Sequence, residues 1–161
     1  MCYQLAMISI RRPVKPTEIN TRLERFEALC RQRGLALTVQ RREILKAMLQ
    51  RDDHPTAEQV YDSLKDRMAG LSRTTVYRVL ETLVGLGMIR RLHHPGSNAR
   101  FDGRTGRHHH LVCRGCHRVI DVASRGLDDL RLPPSKRHGF QIEDYTVHFM
   151  GICAECRQKT T

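Results

Sequence analysis

Four of the six cysteines stand in two C-x-x-C pairs, Cys113/Cys116 and Cys153/Cys156, with Cys116 and Cys153 37 residues apart. Four thiolates in two such knuckles suit tetrahedral zinc, and a shell closed by four sulfurs leaves no position for a substrate water. The pattern therefore reads as a structural Zn2+ site that lends folding energy to a small second half. Redox dithiols of this spacing usually come singly, beside a strand-turn-helix. Cys2 and Cys30 lie outside the pattern and receive no role.

A second set of metal-ligating types is spread more widely: His54, Asp102, His108, His110 and Asp121. Imidazole nitrogen with carboxylate oxygen suits Fe2+, Mn2+ or zinc, and the oxygen donors lean the set toward iron or manganese. His108 and His110 are two apart on a strand and share a face, with His109 on the other. His54 belongs to the first half of the chain. An ion held by all five would set the angle between the halves, and with it the spacing of two reading elements in a dimer.

The elements that must carry these residues fall into two blocks. Leu23, Phe26, Leu29 and Cys30 make a helical stripe. Thr38 caps a second helix with Ile44, Leu45, Met48 and Leu49 inward. Thr56, with Gln59 at the capping-box position, opens a third with Val60, Tyr61, Leu64 and Met68 inward. Ser72 caps a fourth with Val76, Val79, Leu80 and Leu83 inward, and Gly85 and Gly87 stop it. Met88–Leu92 and Ala99–Asp102 then read as strands joined by a turn over His93–Asn98. Helices followed by such a hairpin make a winged helix-turn-helix. After a glycine- and arginine-rich link come strands over His108–Val112, Arg118–Val122 and Phe140–Ile152, and a short helix over Leu127–Leu132 that must end at Pro133-Pro134.

The fold class is thus α+β. Residues 1–20 form a flexible N-terminal extension, 21–102 a winged-helix DNA-binding domain, 103–107 a hinge, and 108–161 a small α/β dimerisation and metal-binding domain with the four-cysteine site. The net charge of +11 points to a polyanionic partner. Up to Leu92 there are 17 Lys/Arg against 10 Asp/Glu, and afterwards 11 against 7, so charge does not single out the binding half. The fourth helix does. Its outward face carries Arg73, Thr74, Tyr77, Arg78 and Glu81, types that pair with base edges in a major groove. Ser72 at its start can meet a phosphate, and Arg90 and Arg91 do so from the wing. No apolar run is long enough to span a bilayer, and Met1–Ile10 lacks the basic start of a signal peptide, so the location expected is cytoplasmic.

Taken together these motifs closely resemble the ferric uptake regulator family, from about Arg22 to Arg157. The resemblance rests on His54-Pro55-Thr56-Ala57, Ser72-Arg73-Thr74-Thr75-Val76-Tyr77-Arg78, Arg100-Phe101-Asp102, His108-His109-His110-Leu111-Val112-Cys113-Arg114-Gly115-Cys116 and Gly151-Ile152-Cys153-Ala154-Glu155-Cys156. It implies a homodimer that binds inverted-repeat operators in double-stranded DNA when metallated, a repressor rather than an enzyme. Cys113, Cys116, Cys153 and Cys156 match the family's structural zinc ligands. His54, Asp102, His108, His110 and Asp121 match its regulatory site.

Iron-sensing members usually have glutamate at the positions of Asp102 and Asp121, whereas the peroxide-sensing branch has aspartate. This chain is similar to the peroxide branch, in which iron(II) and hydrogen peroxide add an oxygen to a ligand histidine. The matching histidines are His54 and His108. The zinc-sensing branch uses a regulatory cysteine, and none lies between Cys30 and Cys113. Arg78 instead resembles the iron-sensing branch, so an iron-availability repressor is the alternative. Many members have a further metal site with a histidine at the position of Tyr145 and an acid at that of His109; both differ here. A remoter alternative, a zinc-dependent hydrolase using His108 and His110, lacks a His-Glu-x-x-His helix and a phosphate loop.

Overall fold

Pro16 opens the first helix, α1 (Pro16–Gln32), at a position where its missing N–H costs nothing. In this computed structural model, which describes residues 9–10, 14–92, 99–131 and 139–159, Ile19, Leu23, Phe26 and Cys30 form the buried face of that helix. Residues 16–20 are therefore helical, not part of the extension expected from the sequence. The rest of that extension, apart from Ser9–Ile10 and Val14–Lys15, lies outside the described residues, as does Cys2.

Three further helices follow, each begun by a side-chain cap. Thr38 accepts from Arg41 N at 3.2 Å and opens α2 (Val39–Leu49). Thr56 and Gln59 exchange hydrogen bonds of 3.3 and 2.9 Å, a full capping box, to open α3 (Ala57–Leu64). Ser72 accepts from Thr75 N at 3.1 Å at the start of α4 (Arg73–Gly85). The helix α3 is a turn shorter than the apolar spacing suggests. Arg67 N turns back to Leu64 O at 3.0 Å, and Met68 reaches the core from the turn beyond.

A wing completes this unit: β2 (Arg90–Leu92) pairs antiparallel with β3 (Arg100–Asp102), Arg91 opposite Phe101. The strand expected from Met88 begins only at Arg90, because Met88 N is spent on Leu83 O at 2.9 Å and closes the preceding helix. Met88 and Ile89 instead fill the core with Phe26, Ile44, Leu45, Met48, Val60, Leu80 and Phe101. The turn expected over His93–Asn98 lies outside the described residues. Arg22 of α1 donates to the carbonyls of Gly103 and Met88, which fastens the exit of the wing to the helices.

The chain divides into two units, Arg12–Thr105 and Gly106–Thr161 together with Met1–Arg11. In the second, β4 (His109–Cys113) and β5 (Val119–Ala123) form an antiparallel hairpin. The strand β6 (His148–Gly151) runs parallel to β4, and β1 (Ser9–Ile10) adds to β5, for a sheet order β1-β5-β4-β6. Two short helices, α5 (Arg125–Asp128) and α6 (Ala154–Gln158), follow β5 and β6.

Two expectations are corrected here. The strand read over Phe140–Ile152 is only the four residues of β6, since Tyr145 and Val147 N bond to α5 and to the His109 ring rather than to a neighbouring strand. The helix read over Leu127–Leu132 spans Arg125–Asp128, and Pro133-Pro134 lies outside the described residues. Among the described residues, the buried apolar side chains of this unit are essentially Val112, Val119 and Val122, while Leu111, Phe149, Met150 and Ile152 are exposed.

Candidate metal centres and nucleic-acid face

The parallel register of β4 and β6 sets Cys113 opposite Gly151, which brings the two knuckles to the same end of the sheet. Arg114 N donates to Gly151 O at 2.7 Å and Cys153 N to Cys113 Sγ at 3.3 Å. Cys156 arrives on α6. One sulfur atom from each of the four residues lies within 4.8 Å of the others, and Cys116 Sγ is 3.8 Å from Cys153 Sγ. Four sulfurs about 2.3 Å from a common zinc would stand about 3.8 Å apart, so the donors fit the ion. A Cβ at Gly115 would fall 2.9 Å from Cys156 Sγ, so only glycine leaves room for that sulfur. The backbone N–H groups of Cys116 and Cys153 hold the Cys113 thiol down to about 6. Hydrogen bonding from Cys153, with burial, pushes Cys156 up to about 12. Four neighbouring sulfurs cannot all be thiolates without a cation among them.

The histidine and aspartate residues form two groups, one in each unit. In the sheet unit, His110 stands across the ladder from Asp121. His110 Nε2 is 3.7 Å and His108 Nε2 3.5 Å from the same Asp121 Oδ1, and all three residues are buried. His108 Nδ1 donates to Gly106 O at 2.7 Å, which in the neutral ring leaves the lone pair on Nε2. In the winged-helix unit, His54 Nε2 lies 3.9 Å from Asp102 Oδ2, both residues buried. Their approach is built by the backbone. Thr56 bridges antiparallel to Arg100, Phe101 N donates to Pro55 O at 2.9 Å, and Arg100 Nη1 donates to His54 O at 2.8 Å. His54 takes a left-handed φ of 49°, a conformation costly for a residue with a Cβ and most often kept where a site needs it. Donors about 2.1 Å from one ion stand about 3.0–3.4 Å apart, so each group needs only a small contraction to grip a metal.

On α4, Ser72, Arg73, Thr74, Tyr77, Arg78 and Glu81 are exposed, Tyr77 by 46%. Two of the basic residues are not simply presented to solvent. Arg73 Nε donates to Glu58 Oε1 at 2.6 Å and its guanidinium lies 4.5 Å from the centre of the Tyr61 ring, so it is drawn back onto α3. Arg91 pairs with Glu81 at 3.3 Å. Sequence reasoning missed both restraints, because partners 15 and 10 residues away give no local signal. It also missed a groove of about 680 Å³ beside Tyr77 and Arg78, walled by Thr38, Gln40 and Arg41 from the start of α2.

The profile of the ferric uptake regulator family matches residues 32–150. The chain belongs to the ferric uptake regulator family. Members are dimeric, DNA-binding, metal-responsive transcription repressors and not enzymes. The chain is 29% identical over 146 residues to the peroxide-responsive repressor PerR of Staphylococcus aureus, covering 91% of this chain and 99% of the relative. Among solved structures it is similar to the Vibrio cholerae ferric uptake regulator at 28% identity and a TM-score of 0.66, over 80% of this chain and 99% of that one. The Helicobacter pylori regulator shares the fold at a TM-score of 0.76 and 21% identity, over 92% and 97% of the two chains. Among the described residues no helix is long and apolar enough to cross a membrane.

Proposed function

We propose that this chain is a cytoplasmic, peroxide-responsive repressor whose regulatory Fe2+ or Mn2+ is gripped by His54, Asp102, His108, His110 and Asp121, with Zn2+ on the four cysteines. The observation that carries the reading is that each unit prepares a buried imidazole–carboxylate group, His54 with Asp102 and His108/His110 with Asp121. Aspartate rather than glutamate at 102 and 121, and the likeness to the Staphylococcus aureus peroxide-responsive repressor, support the peroxide branch.

On this reading the two groups close on one ion and so set the angle between the units. A homodimer then presents two α4 helices at the spacing of an inverted-repeat operator. Tyr77, Thr74 and Arg78 meet base edges. Ser72, Arg73, Arg90 and Arg91 meet the backbone. The exposed apolar residues Leu111, Phe149, Met150 and Ile152 near the β6 edge are the surface assigned to the second subunit.

Iron(II) held by His54, Asp102, His108, His110 and Asp121 would supply activation of the peroxide O–O bond beside the ligating rings, while the two electrons that reduce the peroxide come from the imidazole that is oxidised. One peroxide delivers one oxygen atom to an imidazole carbon of His54 or His108 and leaves as water. The altered ring no longer ligates, the units part, and the operator is released.

The test is to treat the iron-loaded dimer with stoichiometric peroxide and weigh its peptides. Gain of one oxygen in the peptides holding His54 or His108, with loss of operator binding, is the expected result. Undamaged histidines sink this version and favour the second reading, an iron-availability repressor, which Arg78 and the 28% identity to the Vibrio cholerae protein support.

A further inference from the structure

His109 lies between two proposed ligands yet faces away from them, fully buried on the other side of β4. Val147 N donates to its Nδ1 at 3.2 Å, so the ring proton sits on Nε2, and Nε2 faces Asp128 Oδ1 at 3.3 Å. Tyr145 stacks on the imidazole, with ring centres 6.0 Å apart and planes inclined by 24°. The Tyr145 hydroxyl lies 2.6 Å from Leu127 O and 2.5 Å from Asp128 O, and accepts Leu130 N at 3.2 Å. The Arg107 guanidinium covers that ring at 4.7 Å and bonds Asp144 at 3.2 Å.

These contacts reach every strand that matters to the ligand group. His109 sits on the strand of His110, and Asp128 ends the segment that leaves the strand of Asp121. Tyr145 and Val147 lead into β6, whose far end carries the second cysteine knuckle. Among the described residues few apolar side chains of this unit are buried, so its hydrogen bonds contribute to aligning these strands.

The same contacts leave little for a cation. One ring nitrogen of His109 is occupied by a backbone N–H and the other carries a proton. The phenol is committed to the backbone of α5, and a fixed guanidinium stands over it. We propose that His109, Asp128 and Tyr145 form a metal-free clasp that positions His108, His110 and Asp121 for the regulatory ion. The three act as positioning residues, and the proposal rests on the reading of that ligand set given above.

The experiment uses the full-length, zinc-loaded dimer as wild type, Tyr145→Phe and Asp128→Asn. Each is titrated with Mn2+, the free ion followed by electron paramagnetic resonance, with zinc content and melting temperature measured alongside. Wild type should take up one Mn2+ per chain. Both variants should keep their zinc and their dimer but bind Mn2+ about tenfold more weakly, the lower end of the effect of removing a partner behind a metal ligand. The spectrum of the bound ion should change as well. Unchanged affinity in both variants overturns the clasp. So does loss of zinc from both, which would mark a merely structural role, and so does a second Mn2+ per chain that Asp128→Asn abolishes. Wild-type protein that takes up no Mn2+ overturns the regulatory-site reading itself, and the clasp with it.

Discussion

Asp121 stands directly opposite His110 in the β4–β5 ladder, and its Oδ1 lies 3.7 Å from His110 Nε2 and 3.5 Å from His108 Nε2. A single carboxylate oxygen thus faces two imidazoles, that of His110 on β4 and that of His108 just before the strand begins. Asp121→Asn keeps the shape and removes the charge. Its Mn2+ affinity should fall by more than about tenfold, since even changes behind a ligand cost that much. Operator binding measured by fluorescence anisotropy should then be weak with or without Mn2+. A wild-type response to the metal would show that Asp121 is not a ligand.

The thiol group carries its own pH dependence. Near neutrality in zinc-free protein, Cys113, held at about 6, is already a thiolate, while Cys156, pushed up to about 12, keeps its proton. Zinc takes thiolate, so loading must expel the Cys156 proton. Apparent zinc affinity should therefore rise about tenfold per pH unit for that proton between pH 7 and 9, with no contribution from Cys113. A competing chelator titrated at several pH values measures the slope. Cys156→Ser should lose zinc and, with few buried apolar side chains among the described residues of the sheet unit, the order of that unit, seen as lost strand signal in circular dichroism.

Arg73 and Arg78 lie on one helix but differ in what holds them. Arg73 is tied to Glu58 and Tyr61, whereas Arg78 lines the groove beside Tyr77. Arg78→Ala should cost about 1–3 kcal/mol at the preferred operator and relax its sequence preference. Arg73→Ala and Arg91→Ala should weaken all sequences alike and lower the salt slope by about 0.9 each. Binding isotherms at several salt concentrations on matched and scrambled operators separate the two behaviours.

Gly103 leaves the wing beneath the last turn of α2, where an added Cβ would stand 2.7 Å from Met48 O. The obstacle is backbone and cannot swing aside. Gly103→Ala should destabilise the winged-helix unit by about 1–3 kcal/mol. At about 4–8 °C per kcal/mol for a unit of this size, the fall in Tm is measurable by thermal melting.

Much of the first unit was legible because its rules are local. Thr38, Thr56 with Gln59, and Ser72 each announce a helix start within three residues, and each makes that bond. Less legible were features decided by distant partners. Tyr145 looks like one more residue of a long strand until its hydroxyl is seen on the carbonyls of α5. Ser9–Ile10 carry no strand signal of note, yet they pair with Val122 and Ala123 more than a hundred residues on.

By itself the sequence determined the ligand types, their spacing within each knuckle and each short segment, and the helical faces, since all of these depend on stereochemistry over one or two turns of chain. Only the tertiary structure decided which segments meet. The parallel register of Cys113 with Gly151 joins the knuckles, and the Thr56–Arg100 bridge sets His54 beside Asp102. Such pairings close loops of about 40 residues, and loop closure is settled by the packing of the whole unit rather than by any stretch within it.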